Sequence, residues 1–373
     1  MANAKVQLNR LIAVHYQHPN LNAIDRFLVD FGLVAVQREE TRTYYRGFGP
    51  ETYVYIAEKS LDDRKHFVGG ILAVESVDDL HRAARVAGAS SIEDSNSLGG
   101  GQQVVLTDPV GMKVTLVHGA KTRSAAEVNE KAPAPIILNS GTVKARQTLH
   151  AFERGPCQLA KCGHYGLRVD SSKFDEAVSW YMDIFNLKLS SCLQLADGKP
   201  AFMFLHIDKG KEFVDHHTIF LSRAMKPLPK ATPHHCSFES DSFDTQQLGH
   251  DWLLQTGWTS CYGIGRHKYG SHIFDYWFDA SGNIIEHYTD GDLVNCDTPP
   301  TYEQVQPDSI KVWGPSIPLA FFTGRPEDAI KPQSNGPALT SLDHVIRDGT
   351  IPSSAQKRPL YQVETKAVSQ VST

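Results

Sequence analysis

The sequence predicts an α+β protein made of four βαβββ modules paired into two domains. Two observations carry this expectation. Strand-like and helix-like segments recur in the same order four times. The turns that close modules also repeat: Leu106-Thr107-Asp108-Pro109-Val110-Gly111 answers Trp277-Phe278-Asp279-Ala280-Ser281-Gly282, and Ala73-Val74-Glu75-Ser76 answers Ser237-Phe238-Glu239-Ser240.

The first module opens with an apolar strand at Leu11-Ile12-Ala13-Val14. A helix follows, with Leu21, Ile24, Phe27, Leu28 and Phe31 at helical spacing and Gly32 as its stop. Strands are expected at Leu33 to Val36, at Tyr44-Tyr45 and at Tyr53 to Ile56. The second module has a strand from Phe67 to Val74, a helix around Val77 to Val86 and closing strands that end at Lys113 to Val117. Residues 8–119 are thus expected to form an N-terminal domain. An Ala-, Pro-, Lys- and Ser-rich linker over 120–158 follows, with a Pro135 to Leu138 segment able to dock locally.

The third module begins at His164 to Val169 and continues with a helix from Lys173 to Phe185, whose stripe of Phe174, Ala177, Val178, Tyr181 and Phe185 is core. Asn186 is expected to end that helix in the left-handed conformation, as Gly32 ends the first. Strands follow at Ala201 to Leu205 and His217 to Leu221. The fourth module has a strand at His235 to Phe238, a helix around Phe243 to Thr256 and a closing hairpin within Gly265 to Asp292. Residues 159–295 are expected to be the catalytic domain, and 296–373 a proline-rich extension. There Ile317 to Phe322 can pack on the second domain, and the last twenty or so residues are expected to be disordered.

Composition narrows the function classes. The chain has 373 residues, 41% hydrophobic and 21% charged, which fits a soluble globular protein of two domains. A net charge of -5 argues against general nucleic-acid binding. No apolar run suits a membrane span or a signal peptide, so a cytoplasmic location is expected. The six cysteines lack paired zinc spacings and are expected to be free thiols. Histidine is concentrated: of 17, ten lie between His164 and His287.

Glu286 is expected on a strand that shares its face with Ile284 and Tyr288, a costly place for a carboxylate without a cation or donor. Matching the repeats puts Glu286 opposite Thr115, His164 near Arg10 and His235 near Ile71. All three candidate ligands therefore occur in one copy and are missing together from the other. Core histidines have little reason to vary as a set, so a metal site in the second domain is expected. Two imidazoles and a carboxylate form the facial triad of non-haem Fe(II) oxygenases; zinc is the chemical competitor.

Gly265-Arg266-His267, then Tyr276 nine residues after the histidine, Gly282, and Glu286 ten residues after the tyrosine resemble the signature of the type I extradiol ring-cleavage dioxygenases of the vicinal oxygen chelate superfamily. The likeness extends to Gly163-His164, His216-His217-Thr218 and His234 to Phe238. Asp275 stands where that family usually has an aliphatic residue, and Ala280 where it usually has proline. The resemblance implies Fe(II), with Mn(II) as the alternative, held by His164, His235 and Glu286. It also implies His217 as the acid-base residue, with His267 and Tyr276 bonding the substrate oxygens. The implied reaction is meta cleavage of a catechol-type diol by dioxygen, and a homo-oligomer is expected. His216, His234, His272 and His287 are expected to be structural or surface groups, with His272 able to line the pocket. Two other readings remain open: another metal enzyme of the same fold (a glyoxalase-type isomerase or a keto-acid dioxygenase), and a non-catalytic protein that sequesters an aromatic.

Overall fold

Local chemistry fixes several helix starts and the module ends. Asn20 accepts a hydrogen bond from Ala23 N at 3.0 Å to cap α1 (Leu21–Phe31), which follows β1 (Leu8–His18) and ends at Gly32 with φ 116°. The first module closes with β2 (Val34–Arg38), β3 (Arg42–Arg46) and β4 (Tyr55–Lys59). The second comprises β5 (His66–Val74), α2 (Val77–Ala83) capped by Ser76, the two-residue β6 (Glu93–Asp94), β7 (Gln102–Thr107) and β8 (Lys113–His118). In the β7–β8 turn Asp108 Oδ1 accepts from the amides of Val110 and Met112, and Gly111 takes φ 86°.

The computed structural model describes residues 4–130, 152–306 and 310–329, with positions 139, 142, 144, 146 and 149 of the linker. The linker contains α3 (Ala125–Glu130). Pro135 to Leu138 and the C-terminal residues expected to be disordered lie outside the described residues.

The third module runs through β9 (Leu159–Val169), α4 (Phe174–Ile184), β10 (Leu187–Gln194), β11 (Pro200–Ile207), β12 (Val214–Asp215) and β13 (Ile219–Arg223). Asn186 does not end α4 in the left-handed region. Its side chain instead takes Leu8 N at 2.7 Å and donates to Leu8 O and Asp208 O, tying β1 to the third module. The fourth module comprises β14 (Thr232–Ser240), α5 (Phe243–Gln255), β15 (Thr259–His267), β16 (Ile273–Phe278) and β17 (Ile284–Thr289). Its turn repeats the first-half chemistry: Asp279 Oδ1 accepts from Ser281 N and Asn283 N, both at 2.8 Å, so Ala280 serves without proline.

Each pair of modules makes one sheet, joined by antiparallel pairing of its two opening strands. The first sheet has the order β2-β3-β4-β1-β5-β8-β7-β6. The second contains β10-β11-β13-β9-β14-β17-β16-β15 in the same arrangement. The chain after β18 (Leu293–Val294) then widens that sheet at both edges: β19 (Thr301–Gln304) pairs with β10, and β20 (Lys311–Trp313) with β15. The short helix α6 (Leu319–Thr323) packs Phe321 against Tyr262 and Tyr276, as the sequence led us to expect.

The register revises the internal match. Ser237 pairs with both His164 and Glu286, as Ile71 pairs with Ala13 and Thr115. Ser237, not His235, is therefore the counterpart of Ile71, and the serine that caps α5 is Ser242 rather than Ser240. The counterparts of the three candidate ligands become Ala13, Gly69 and Thr115, none an imidazole or carboxylate, so the asymmetry between the two copies stands.

Candidate metal centre

Strands β9, β14 and β17 lie side by side, and each aims one donor at a common point. His164 Nε2 is 3.3 Å from His235 Nε2 and 3.2 Å from Glu286 Oε2, and His235 Nε2 is 3.4 Å from the same oxygen. All three side chains are buried; Glu286 is 1% exposed. Donor separations slightly above 3 Å suit neighbouring ligands of one ion with bonds of about 2.1 Å. Glu286 Oε1 is buried without a hydrogen-bond partner, a cost that a cation at the centre would remove. Among the described residues this is the group of His, Cys, Asp and Glu side chains able to hold a metal ion.

Burial would raise the Glu286 pKa, but bonds to His164 and His235 hold it well below the usual carboxylate range. Burial pushes His235 down to about 4 against the pull of Glu286. Both groups are thus in the states a cation needs, a carboxylate and a neutral imidazole.

The remaining predicted residues border the same point. Tyr276 sits opposite Glu286 in the β16–β17 ladder, and its hydroxyl donates to His267 Nε2 at 2.8 Å. His267 Nδ1 donates to Ile310 O at 3.0 Å, which fixes its tautomer. Tyr276 is pushed well above the ordinary phenol range, first by burial and then by the Glu286 charge.

His217 lies just before β13, with its ring centroid 4.1 Å from that of His164. A chain of contacts supports it: Thr301 Oγ1 donates to Ser191 Oγ at 2.7 Å, Ser191 Oγ lies 3.0 Å from His216 Nε2, and His216 Nδ1 lies 3.1 Å from His217 Nδ1. With Ser191 and His216 as donors, His217 Nδ1 accepts and Nε2 carries the proton. Burial, with four neighbouring histidines, holds His217 well below its ordinary pKa.

His216, His234, His272 and His287 are all buried rather than on the surface. His234 Nδ1 lies 2.9 Å from His235 Nδ1, and His272 lines the pocket.

Residues 161–287 match the model of the Glyoxalase/Bleomycin resistance protein/Dioxygenase superfamily. That segment is similar to this superfamily, and the resemblance to extradiol ring-cleavage dioxygenases holds. The chain is 24% identical over 312 residues to metapyrocatechase 2 of Cupriavidus necator, covering 82% of this chain and 90% of that protein. Its fold is similar to the Mn(II)-bound glyoxalase from Novosphingobium aromaticivorans, with TM-score 0.67, 19% identity and coverage of 91% and 99% of the two chains. It is also similar to homoprotocatechuate 2,3-dioxygenase from Brevibacterium fuscum in complex with 3,4-dihydroxyphenylacetate, with TM-score 0.70, 15% identity and coverage of 87% and 94%.

The site holds one residue that sequence reasoning missed. Ser237 Oγ lies 2.8 Å from His164 Nε2 and donates to Glu286 Oε2. Its position two after His235 on the same strand, and hence on the same face, was the available signal. The expected pocket lies at the triad. Its volume is about 820 Å³, and Phe202, Phe204, Phe220 and Phe321 line it together with the triad, His217, His267 and Tyr276.

Proposed function

We propose that the protein is a metal-dependent extradiol dioxygenase that opens the ring of a catechol-type substrate with dioxygen. The observation that carries this reading is the convergence of His164, His235 and Glu286, with Glu286 Oε1 unpartnered, at the base of an aromatic-lined cavity that also holds His217, His267 and Tyr276. His164, His235 and Glu286 would hold the ion, Fe(II) with Mn(II) as the alternative. When bound, the ion supplies the electronic link between the diol and dioxygen.

The chain's own groups then have separate tasks. Tyr276 and His267, already bonded to each other, orient one diol oxygen and take up its hydrogen bond. His217, whose ring lines the cavity beside His164, takes up and returns the proton of the diol. The phenylalanines keep the ring in place and exclude water. The division into an N-terminal domain over 8–119 and a catalytic domain over 159–295 is part of the same proposal.

The test is anaerobic purification, loading with Fe(II) or Mn(II), and a panel of catechols followed by oxygen uptake and by the yellow absorbance of a ring-opened product. Metal held at a single site without oxygen consumption on any catechol would overturn the reading.

A further inference from the structure

Four cationic side chains line the cavity, Arg168, Arg223, Lys226 and Arg325, whereas Glu286 is the one carboxylate among its lining residues. Two of the cations are already engaged. Arg223 donates to Pro200 O, Ser171 O and, at 2.6 Å, Asp175, while lying 4.2 Å over the Phe174 ring; Arg325 pairs with Asp328 at 3.0 Å. Lys226 is exposed at the rim.

Arg168 is different. It is half-buried in β9 and has no hydrogen-bond or carboxylate partner among the described residues. Burial lowers its pKa, with only Cys261 acting the other way. A guanidinium that opens onto a cavity with no protein acceptor keeps its fork of donors free for an anionic ligand.

Its place in the strand says where that anion would lie. His164, Gly166 and Arg168 alternate onto one face of β9, which puts Arg168 about 13 Å along the strand from the ligand histidine. Gly166 opens the space between them: a Cβ there would meet the Phe220 ring at 1.9 Å, so that ring lies over the strand between imidazole and guanidinium. Beyond, Arg168 Nη1 lies against Gly324 at the end of α6, 3.4 Å from where a Cβ of that residue would stand. The volume of about 820 Å³ is more than a single-ring diol needs and suits a larger ligand.

We infer that Arg168 anchors a carboxylate at the far end of the substrate, with the diol at the triad and an apolar body, a second ring or a chain, spanning the cavity past Phe220. The planar fork of arginine matches a carboxylate with two parallel hydrogen bonds. The diol end of this inference rests on the ring-cleavage reading; the anion site does not.

Two measurements separate them. The first is calorimetric binding to metal-free protein of biphenyl-4-carboxylate against biphenyl-4-carboxamide. Wild type is expected to prefer the carboxylate by about tenfold or more, Arg168→Met to lose the preference and Arg168→Lys to keep part of it. The second is the ratio of kcat/KM, in iron-loaded protein, for 4-(2,3-dihydroxyphenyl)benzoate against its methyl ester, which is expected to collapse in Arg168→Met. Arg168→Gln, monitored by circular dichroism, replaces Arg168→Met if that variant does not fold. No preference in wild type, or a preference that survives removal of the guanidinium, would overturn the anion site. If carboxylate discrimination appears in binding and vanishes with Arg168 while no catechol is cleaved, the anion site stands and the ring-cleavage reading falls.

Discussion

Tyr276 and Glu286 face each other directly across the β16–β17 ladder, so one hairpin presents a carboxylate of the candidate metal centre and a phenol side by side. The phenol is held by His267 Nε2 at 2.8 Å. Tyr276→Phe keeps the ring but removes the hydroxyl that would meet the substrate oxygen. Bound metal should be unchanged while kcat/KM falls roughly tenfold to hundredfold, the effect of a lost hydrogen bond to a charged group. Metal analysis beside oxygen-uptake kinetics checks this; an unaltered kcat/KM would remove Tyr276 from the site.

His217 is the group expected to move a proton without holding the ion. His217→Ala should retain metal and lose turnover by about 10²- to 10⁴-fold. Ser191→Ala, which cuts the support reaching His217 through His216, should lower turnover less and also leave metal bound. Loss of metal from either variant would show a structural role instead.

Ser237 ties Glu286 to His164. Ser237→Ala should weaken metal affinity by about 10- to 100-fold, as loss of groups that orient ligands commonly does. Competition with a chelator of known affinity measures it, and an unchanged dissociation constant would mean that the ligands need no such support.

Behind the site, Asp275 is fully buried and accepts hydrogen bonds from Trp277 Nε1 at 2.7 Å and His250 Nδ1 at 3.0 Å. Burial lowers the His250 pKa, but the bond to Asp275 outweighs it and leaves the pKa raised above 6.5. A group whose pKa is raised in the folded state stabilises fully below its unfolded value and loses that contribution as pH rises through the folded one. Urea unfolding of wild type and His250→Gln should therefore differ more at pH 5.5 than at pH 9. An equal difference at both would show that the pair carries no proton linkage.

Much of this was legible because its causes are local. The Asp-x-x-Gly turns at Asp108 and Asp279 use the same backbone contacts in both copies, and the asymmetry of His164, His235 and Glu286 between the two copies survives the change of register, three residues at His164 and two at His235. What was not legible depends on partners distant in the chain. Strand β10, with its serines, β15, and the tail strands β19 and β20 have weak periodicity of their own and form because a sheet edge receives them. Asn186 carries the signal of a helix stop, yet its amide is used by Leu8 and Asp208. Asp275 stands where the resemblance has an aliphatic residue, and its charge is met by His250 on α5 and by Trp277 two residues along. Arg168 looks like any strand arginine until the lining of the cavity shows no carboxylate for it.

The metal content of Glu286→Ala, measured beside wild type after Fe(II) loading and desalting, bears most directly on the proposed centre. Wild type should hold about one ion per chain and consume oxygen with a catechol, and the variant, with only two imidazoles left, should hold almost none and consume none. Iron retained by the variant at the wild-type level would mean that the ion, if the protein uses one, is held elsewhere.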